Sequence, residues 1–257
     1  MSTDAFPLLR VTLYGTGSSG KTSLIDAFVN NGASQHAVPT EWPTIYYRVC
    51  RLREEEEASA ADARLRPVCV EIEDTFDAAR VDEGRDIRRY MTMRRRLTEV
   101  QKGTRDFTPF RVWKPPRVPM GPTQTSLTLV TNGRMGMMII FDVNQPSTLA
   151  KAMELYDTIT SVLEYRQENL KPVIFLVGNK YDVDPTSERV QTTIGEAQIY
   201  AQSKFMRFWK TSALDGKNVK KMFEEMLYRV LGSPSLWELD YQEESSEEEE
   251  SEGCALM

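Results

Sequence analysis

The residues best placed to do chemistry come early. Gly15-Thr16-Gly17-Ser18-Ser19-Gly20-Lys21-Thr22 fits the spacing GxxxxGK[ST]. Glycines let a backbone curl until successive N–H groups point inward at phosphate oxygens. A helix starting at the end of such a loop adds its positive N-terminal end. Lys21 would set a cation against β- and γ-phosphates, and the Thr22 hydroxyl can ligate Mg²⁺. The expected nucleotide contacts are therefore Gly15, Gly17, Ser18, Ser19, Gly20, Lys21, Thr22 and Ser23. A second polar motif, Asn179-Lys180-Tyr181-Asp182, follows the apolar run VIFLV about 160 residues later. The Asp182 carboxylate can accept two hydrogen bonds, from guanine N1–H and from its exocyclic amine. Adenine has no such donor pair, so an acid here selects guanine by geometry and charge.

Both motifs need strands that end beneath them. Residues 8–14 (LLRVTLY) read as a strand, and SLIDAFVN after the loop has helical apolar spacing at Leu24, Ile25, Phe28 and Val29. Further strands are expected at 45–52, 68–72, 137–143, 173–177 and 207–210. Helices are expected at 147–166, with Ser147 as N-cap, at 194–204, and at 219–231. The last places Val219, Met222, Phe223, Met226, Leu227 and Val230 on one face and is stopped by Gly232 and Pro234. Alternating strands and helices predict an α/β fold: a mainly parallel sheet with helices on both faces, and ligands at the strand C-terminal ends.

Other stretches read differently. Residues 53–63 (REEEEASAADA) are polar and expected to form an exposed turn. Residues 82–101 have the pattern of an amphipathic, arginine-rich helix, and five prolines between 109 and 122 exclude long regular structure there. The domain reading is a body over 1–232 with an insertion at about 77–132, then an acidic tail over 233–257.

Composition excludes several classes. The chain has 257 residues, and none of its apolar runs approaches the ~18 residues of a membrane-spanning helix. The N-terminus lacks the basic and apolar regions of a secretory signal. Cys50, Cys69 and Cys254 are too few for a disulfide scaffold, which makes the cytosol the expected compartment. The net charge of −6 comes from nine acids after residue 237; the rest has 32 basic against 29 acidic residues. So small a surplus gives no ground for binding nucleic acid.

Taken together, GTGSSGKT, Pro43-Thr44-Ile45, Asp74-Thr75, NKYD and Ser212-Ala213-Leu214 resemble the Ras-like small GTPases. The resemblance covers roughly 6–76 and 133–231. It implies a six-stranded sheet with five helices, and a GDP/GTP switch that hydrolyses GTP and works with effector, exchange and GTPase-activating proteins. Thr44 resembles the switch threonine that reaches Mg²⁺ and the γ-phosphate, beside Lys21 in the catalytic step. Thr22, Thr44 and Asp74 then form the metal set, and Asn179, Lys180, Asp182, Ser212 and Ala213 hold the base. Thr40 also follows a proline, but Thr44 is favoured because isoleucine and a strand follow it. Tyr46 and Tyr47 lie in the effector strand by this resemblance, or are ordinary strand aromatics. Neither His36 nor Trp42 can be assigned as the residue that stacks on the base.

Two features depart from that family. Where its members read Asp-Thr-Ala-Gly-Gln, this chain reads Asp74-Thr75-Phe76-Asp77-Ala78. Alanine cannot orient an attacking water, so hydrolysis is expected to be slow. The alternative is that the insertion shifts the register and Gly84 does the glycine's work. The insertion itself reads either as a docking element or as a solvated loop. The chain ends Cys254-Ala255-Leu256-Met257, a C-a-a-X pattern for which methionine favours a farnesyl group on Cys254. One lipid chain gives marginal membrane binding, and the acidic run before it opposes an anionic leaflet. The expected location is the cytoplasmic face of a membrane with a cytosolic pool. A nucleotide-binding module without turnover is the competing reading, and an ATP-using P-loop enzyme a third.

Overall fold

The structure is a computed structural model that describes residues 7–32, 44–53, 65–75, 134–165 and 171–236. Expectations placed on Thr40, His36 and Trp42, on 54–64, on the insertion with Asp77, Ala78 and Gly84, and on the tail with Cys254 lie outside the described residues. Six strands form one sheet: β1 (Leu8–Gly15), β2 (Thr44–Arg53), β3 (Leu65–Asp74), β4 (Gly136–Asp142), β5 (Val173–Asn179) and β6 (Arg207–Lys210). Their order is β2-β3-β1-β4-β5-β6. Only the β2–β3 pair is antiparallel, so the expectation of a mainly parallel sheet holds. Four α-helices are described: α1 (Lys21–Val29), α2 (Pro146–Tyr165), α3 (Glu188–Ser203) and α4 (Val219–Leu231). No helix among the described residues is long and apolar enough to cross a membrane.

Strand alternation divides the core into two layers. Leu9, Val11 and Leu13 of β1 and Val68, Val70 and Ile72 of β3 face α1 and α4. Phe28 of α1 stacks on Phe223 of α4 with centroids 4.1 Å apart. All six apolar residues expected inside α4 are buried. Met137, Ile139 and Phe141 of β4 face the other way, onto Leu149, Ala152 and Ile159 of α2 and Ile194 and Ala197 of α3.

Three boundaries differ from expectation. Helix α2 starts at Pro146, so Ser147 lies within its first turn rather than capping it. Proline suits the first helical position, where its missing N–H has no partner to lose. Helix α3 starts six residues early, at Glu188 with Ser187 as N-cap. Strand β3 begins at Leu65 because it pairs with β2 back to Arg53, well before β1 joins at Cys69.

The end of α3 carries a strained residue. Lys204 caps the helix, Phe205 donates its N–H to Gln202 O, and Met206 donates to Ala201 O. This is the Schellman pattern, whose left-handed position usually holds glycine. Here Phe205 holds it at φ 53 and is 98% exposed. A β-carbon in that conformation costs about 1–2 kcal/mol, and an exposed ring returns nothing in packing. Phe205→Gly should therefore stabilise the protein by about 1 kcal/mol, after the extra chain entropy of glycine. A higher urea midpoint at unchanged slope is the expected result.

Candidate functional site

The sheet brings the motifs together at one edge. Gly15 ends β1, Asp74 ends β3, Asp142 ends β4 and Asn179 ends β5. The crevice above β1, where neighbours continue on opposite sides, is where an open α/β sheet binds ligands. Between β1 and α1 the loop turns through φ values of 146° at Gly15, 60° at Ser18 and 90° at Gly20. At Gly15 a β-carbon would sit 2.2 Å from Ile140 O, and at Gly20 one would sit 2.3 Å from Asn179 Nδ2. Both glycines are therefore fixed by backbone conformation and by close approach. Ser19 donates its hydroxyl to Thr16 O (2.9 Å), and Lys21 Nζ donates to Gly15 O and Thr16 O (3.1 Å each), bracing the turn from within. Gly17 and Ser18 stand exposed at its rim.

Asn179 joins this loop to the base-side motifs. Its Nδ2 donates to Ser19 O at 3.0 Å. Its Oδ1 accepts from Ala213 N at 3.2 Å and from the Thr211 hydroxyl at 3.4 Å. Ser212 Oγ accepts from Asp215 N at 3.0 Å, shaping the turn after β6. Asp182 is half-buried beside Tyr181, whose ring lies 5.5 Å from Lys210 Nζ and 4.9 Å from Lys217 Nζ. Lys180 is held at φ 63 from both ends. Its ammonium pairs with Asp142 at 2.8 Å, and its carbonyl accepts from Asn144 Nδ2 at 3.0 Å.

Two of the residues expected to hold metal meet on the other side of the loop. Thr22 Oγ1 donates to Asp74 Oδ2 at 2.6 Å, and Asp74 is fully buried. Thr44 begins β2 opposite Asp74 in the register. Hydroxyl and carboxylate oxygens converging beneath a phosphate-shaped loop suit a hard divalent cation such as Mg²⁺, which binds few protein groups besides phosphate. The Thr16 hydroxyl, buried in the loop with no hydrogen-bond partner among the described residues, fits a polar occupant. Burial first, then Asp74 and Asp26, raises the Tyr46 phenol above its ordinary pKa. Tyr47 points to the opposite face and donates to Glu71 Oε2 at 3.0 Å. Burial and that carboxylate push its phenol up to about 12.

Of the residues expected from the sequence, Gly15 with Lys21, Ser19, Gly20 and Ala213 with Asn179, and Thr22 with Asp74 are brought together by these contacts, whereas Ser23 sits in the first turn of α1. Sequence reasoning missed Thr16, Asp142, Asn144 and Thr211. Asp142 had a signal in the run MMIIFD, an acid closing a buried strand.

Comparison with known proteins agrees with this geometry. Residues 124–232 match the Ras family, a stretch holding β4, NKYD and the Ser212-Ala213 turn. The fold is that of a small G protein. The Ras-related protein RABA2a of Arabidopsis thaliana is 31% identical over 107 residues, 40% of this chain and 46% of the relative. Ras-related protein Rab-25 of Bos taurus is 33% identical over 107 residues, 40% and 45% of the two chains. Human Ras-related protein Rab-4B is 31% identical over 110 residues, 42% and 47%. The chain spans less than half the length of these curated relatives. The phosphate loop lies outside the family match, so its place in the small G-protein fold rests on the backbone geometry above.

Proposed function

We propose that the chain is a Ras-like GDP/GTP switch in signalling, with slow intrinsic hydrolysis of GTP. The observation that carries this reading is Asn179: one buried amide bonds both the phosphate loop and the turn that would face the base. That bridge makes phosphate and purine recognition one connected unit. Lys21 and the loop amides would hold phosphate charge, Thr22, Thr44 and Asp74 would hold Mg²⁺, and Asp182 with the Ser212-Ala213 turn would hold guanine. When bound, Mg²⁺ would supply positive charge against the phosphates. The side chains' part is positional: Thr22 and Asp74 are already in contact, and Lys180 is pinned by Asp142.

Asp77 and Ala78 support the slow rate: alanine at the glutamine's place cannot orient an attacking water, and a carboxylate at the glycine's place would be repelled by the γ-phosphate if it pointed inward. The same two residues favour one competing reading, a guanine-nucleotide module without turnover. Effector, exchange and activating proteins would read the switch segments. Farnesylation at Cys254 would supply a weak, exchangeable membrane anchor, with a prenyltransferase as a further partner.

Native mass spectrometry of purified protein should find bound GDP or GTP, which added GDP displaces and ATP does not. Material that retains no guanine nucleotide in the presence of Mg²⁺, or that prefers ATP, would overturn the reading. Single-turnover hydrolysis then decides between slow turnover and none.

A further inference from the structure

Strand β3 reaches its metal acid by an unusual route. Val68, Val70 and Ile72 face the apolar core, but the residue before Asp74 is a buried carboxylate, Glu73. Its partner is the guanidinium of Arg134, and the two side chains are only 5% and 3% exposed. Thr12 of β1, opposite Glu73 in the register, donates its hydroxyl to Glu73 Oε2 at 3.3 Å. Arg134 stands just before β4. The next residue is fixed on both sides: Met135 N donates to Arg10 O at 3.1 Å, and Met135 O accepts from Val173 N at 2.9 Å. On the far side of Asp74, Thr75 donates its hydroxyl to Leu13 O at 2.6 Å. Asp74 is therefore held in the chain between two tethers. The pair also links the end of β3 to the residues just before β4.

We propose that Glu73 and Arg134 are positioning residues for the metal acid, so that Mg²⁺-dependent retention of nucleotide requires their ion pair. This rests on the reading of the site as a guanine-nucleotide switch. A buried ion pair is not the best way to stabilise a sheet, since well-packed apolar side chains of similar volume do as well or better. What the pair adds is direction. A charged N–H donor on a carboxylate fixes distance and angle, whereas apolar contact lets a strand end slide. A ligand held to less than about 0.5 Å needs that kind of support.

The test is the double variant Glu73→Leu with Arg134→Met, which removes both charges together. Two quantities are read: the melting temperature, and the Mg²⁺ concentration that half-maximally slows release of a fluorescent GDP. The expected result is a melting temperature equal to or above the parent's, with a Mg²⁺ requirement raised about tenfold, the usual scale for losing a ligand's support. A folded double variant with the parent's requirement overturns the proposal. Should the double variant fail to fold, Glu73→Gln keeps the shape and removes the ion pair; its requirement should also rise, and an unchanged one overturns the proposal. A parent that binds no guanine nucleotide brings down the switch reading and this role with it. A parent that binds normally beside an unaffected variant brings down this role alone.

Discussion

Asp182→Asn should lower affinity for GDP by about a thousandfold while leaving the melting temperature of the nucleotide-free protein within a degree or two of the parent's. The carboxylate offers two acceptors to the guanine N1–H and amine. Asparagine offers one acceptor and turns a donor toward the other hydrogen, so one bond becomes a repulsive contact. Sites built to pair a polar edge reject an edge that cannot pair by about 10⁴–10⁵, against tens to a few hundred for a missing methylene. A thousandfold is therefore a conservative expectation. Stability should hold because Asp182 is half-buried in a turn outside the core layers, where substitutions usually stay within about 0.5 kcal/mol. Competition against fluorescent GDP, with calorimetry of the nucleotide-free proteins, checks both halves. Unchanged GDP affinity would remove Asp182 from the base site.

Much of this site is legible in the sequence because its parts have fixed spacing. A loop that wraps phosphate must place glycine where φ is positive and lysine one residue later, so GTGSSGKT betrays itself. The buried strands β4 and β5 are equally plain as short apolar runs. Helix α4 shows because its inward face is wholly apolar. Helix α3 is harder to bound, since Thr193 fills a core position and the periodicity from Val190 to Ile194 is interrupted by a polar type. The early start of β3 was hidden by Pro67, which argues against a central strand. The register explains it: at Pro67, β3 pairs with β2 alone, because β1 begins only at the level of Cys69.

Side-chain bridges are the part that no spacing rule reveals. That Lys180 is fixed by Asp142 and Asn144 depends on β4 and β5 lying adjacent with Asp142 opposite Asn179. The Glu73–Arg134 pair likewise joins residues distant in the chain, and a lone acid beside Asp74 reads from sequence as one more solvated strand residue.

The Asn179 bridge yields the other large effect. Asn179→Ala should speed release of GDP by at least a hundredfold. The residue is 1% exposed and serves both sides of the crevice. Removing its amide strands the Ser19 carbonyl and the Ala213 N–H, each at about 1–3 kcal/mol when buried without a partner. That loss falls on loop and base turn together, so a nucleotide spanning both is released faster than from a change at either alone. Gly20→Ala should do comparable harm by a different route, since its β-carbon would meet Asn179 Nδ2 at 2.3 Å in a left-handed backbone. The two are therefore coupled. In the Asn179→Ala background the obstructing amide is gone, and Gly20→Ala should cost only the φ 90° strain, about 1–2 kcal/mol. A double-mutant cycle on GDP release should come out strongly less than additive. Simple additivity would mean that Gly20 is held by its backbone conformation alone, and that the Asn179 amide does not set the height of the loop above the sheet.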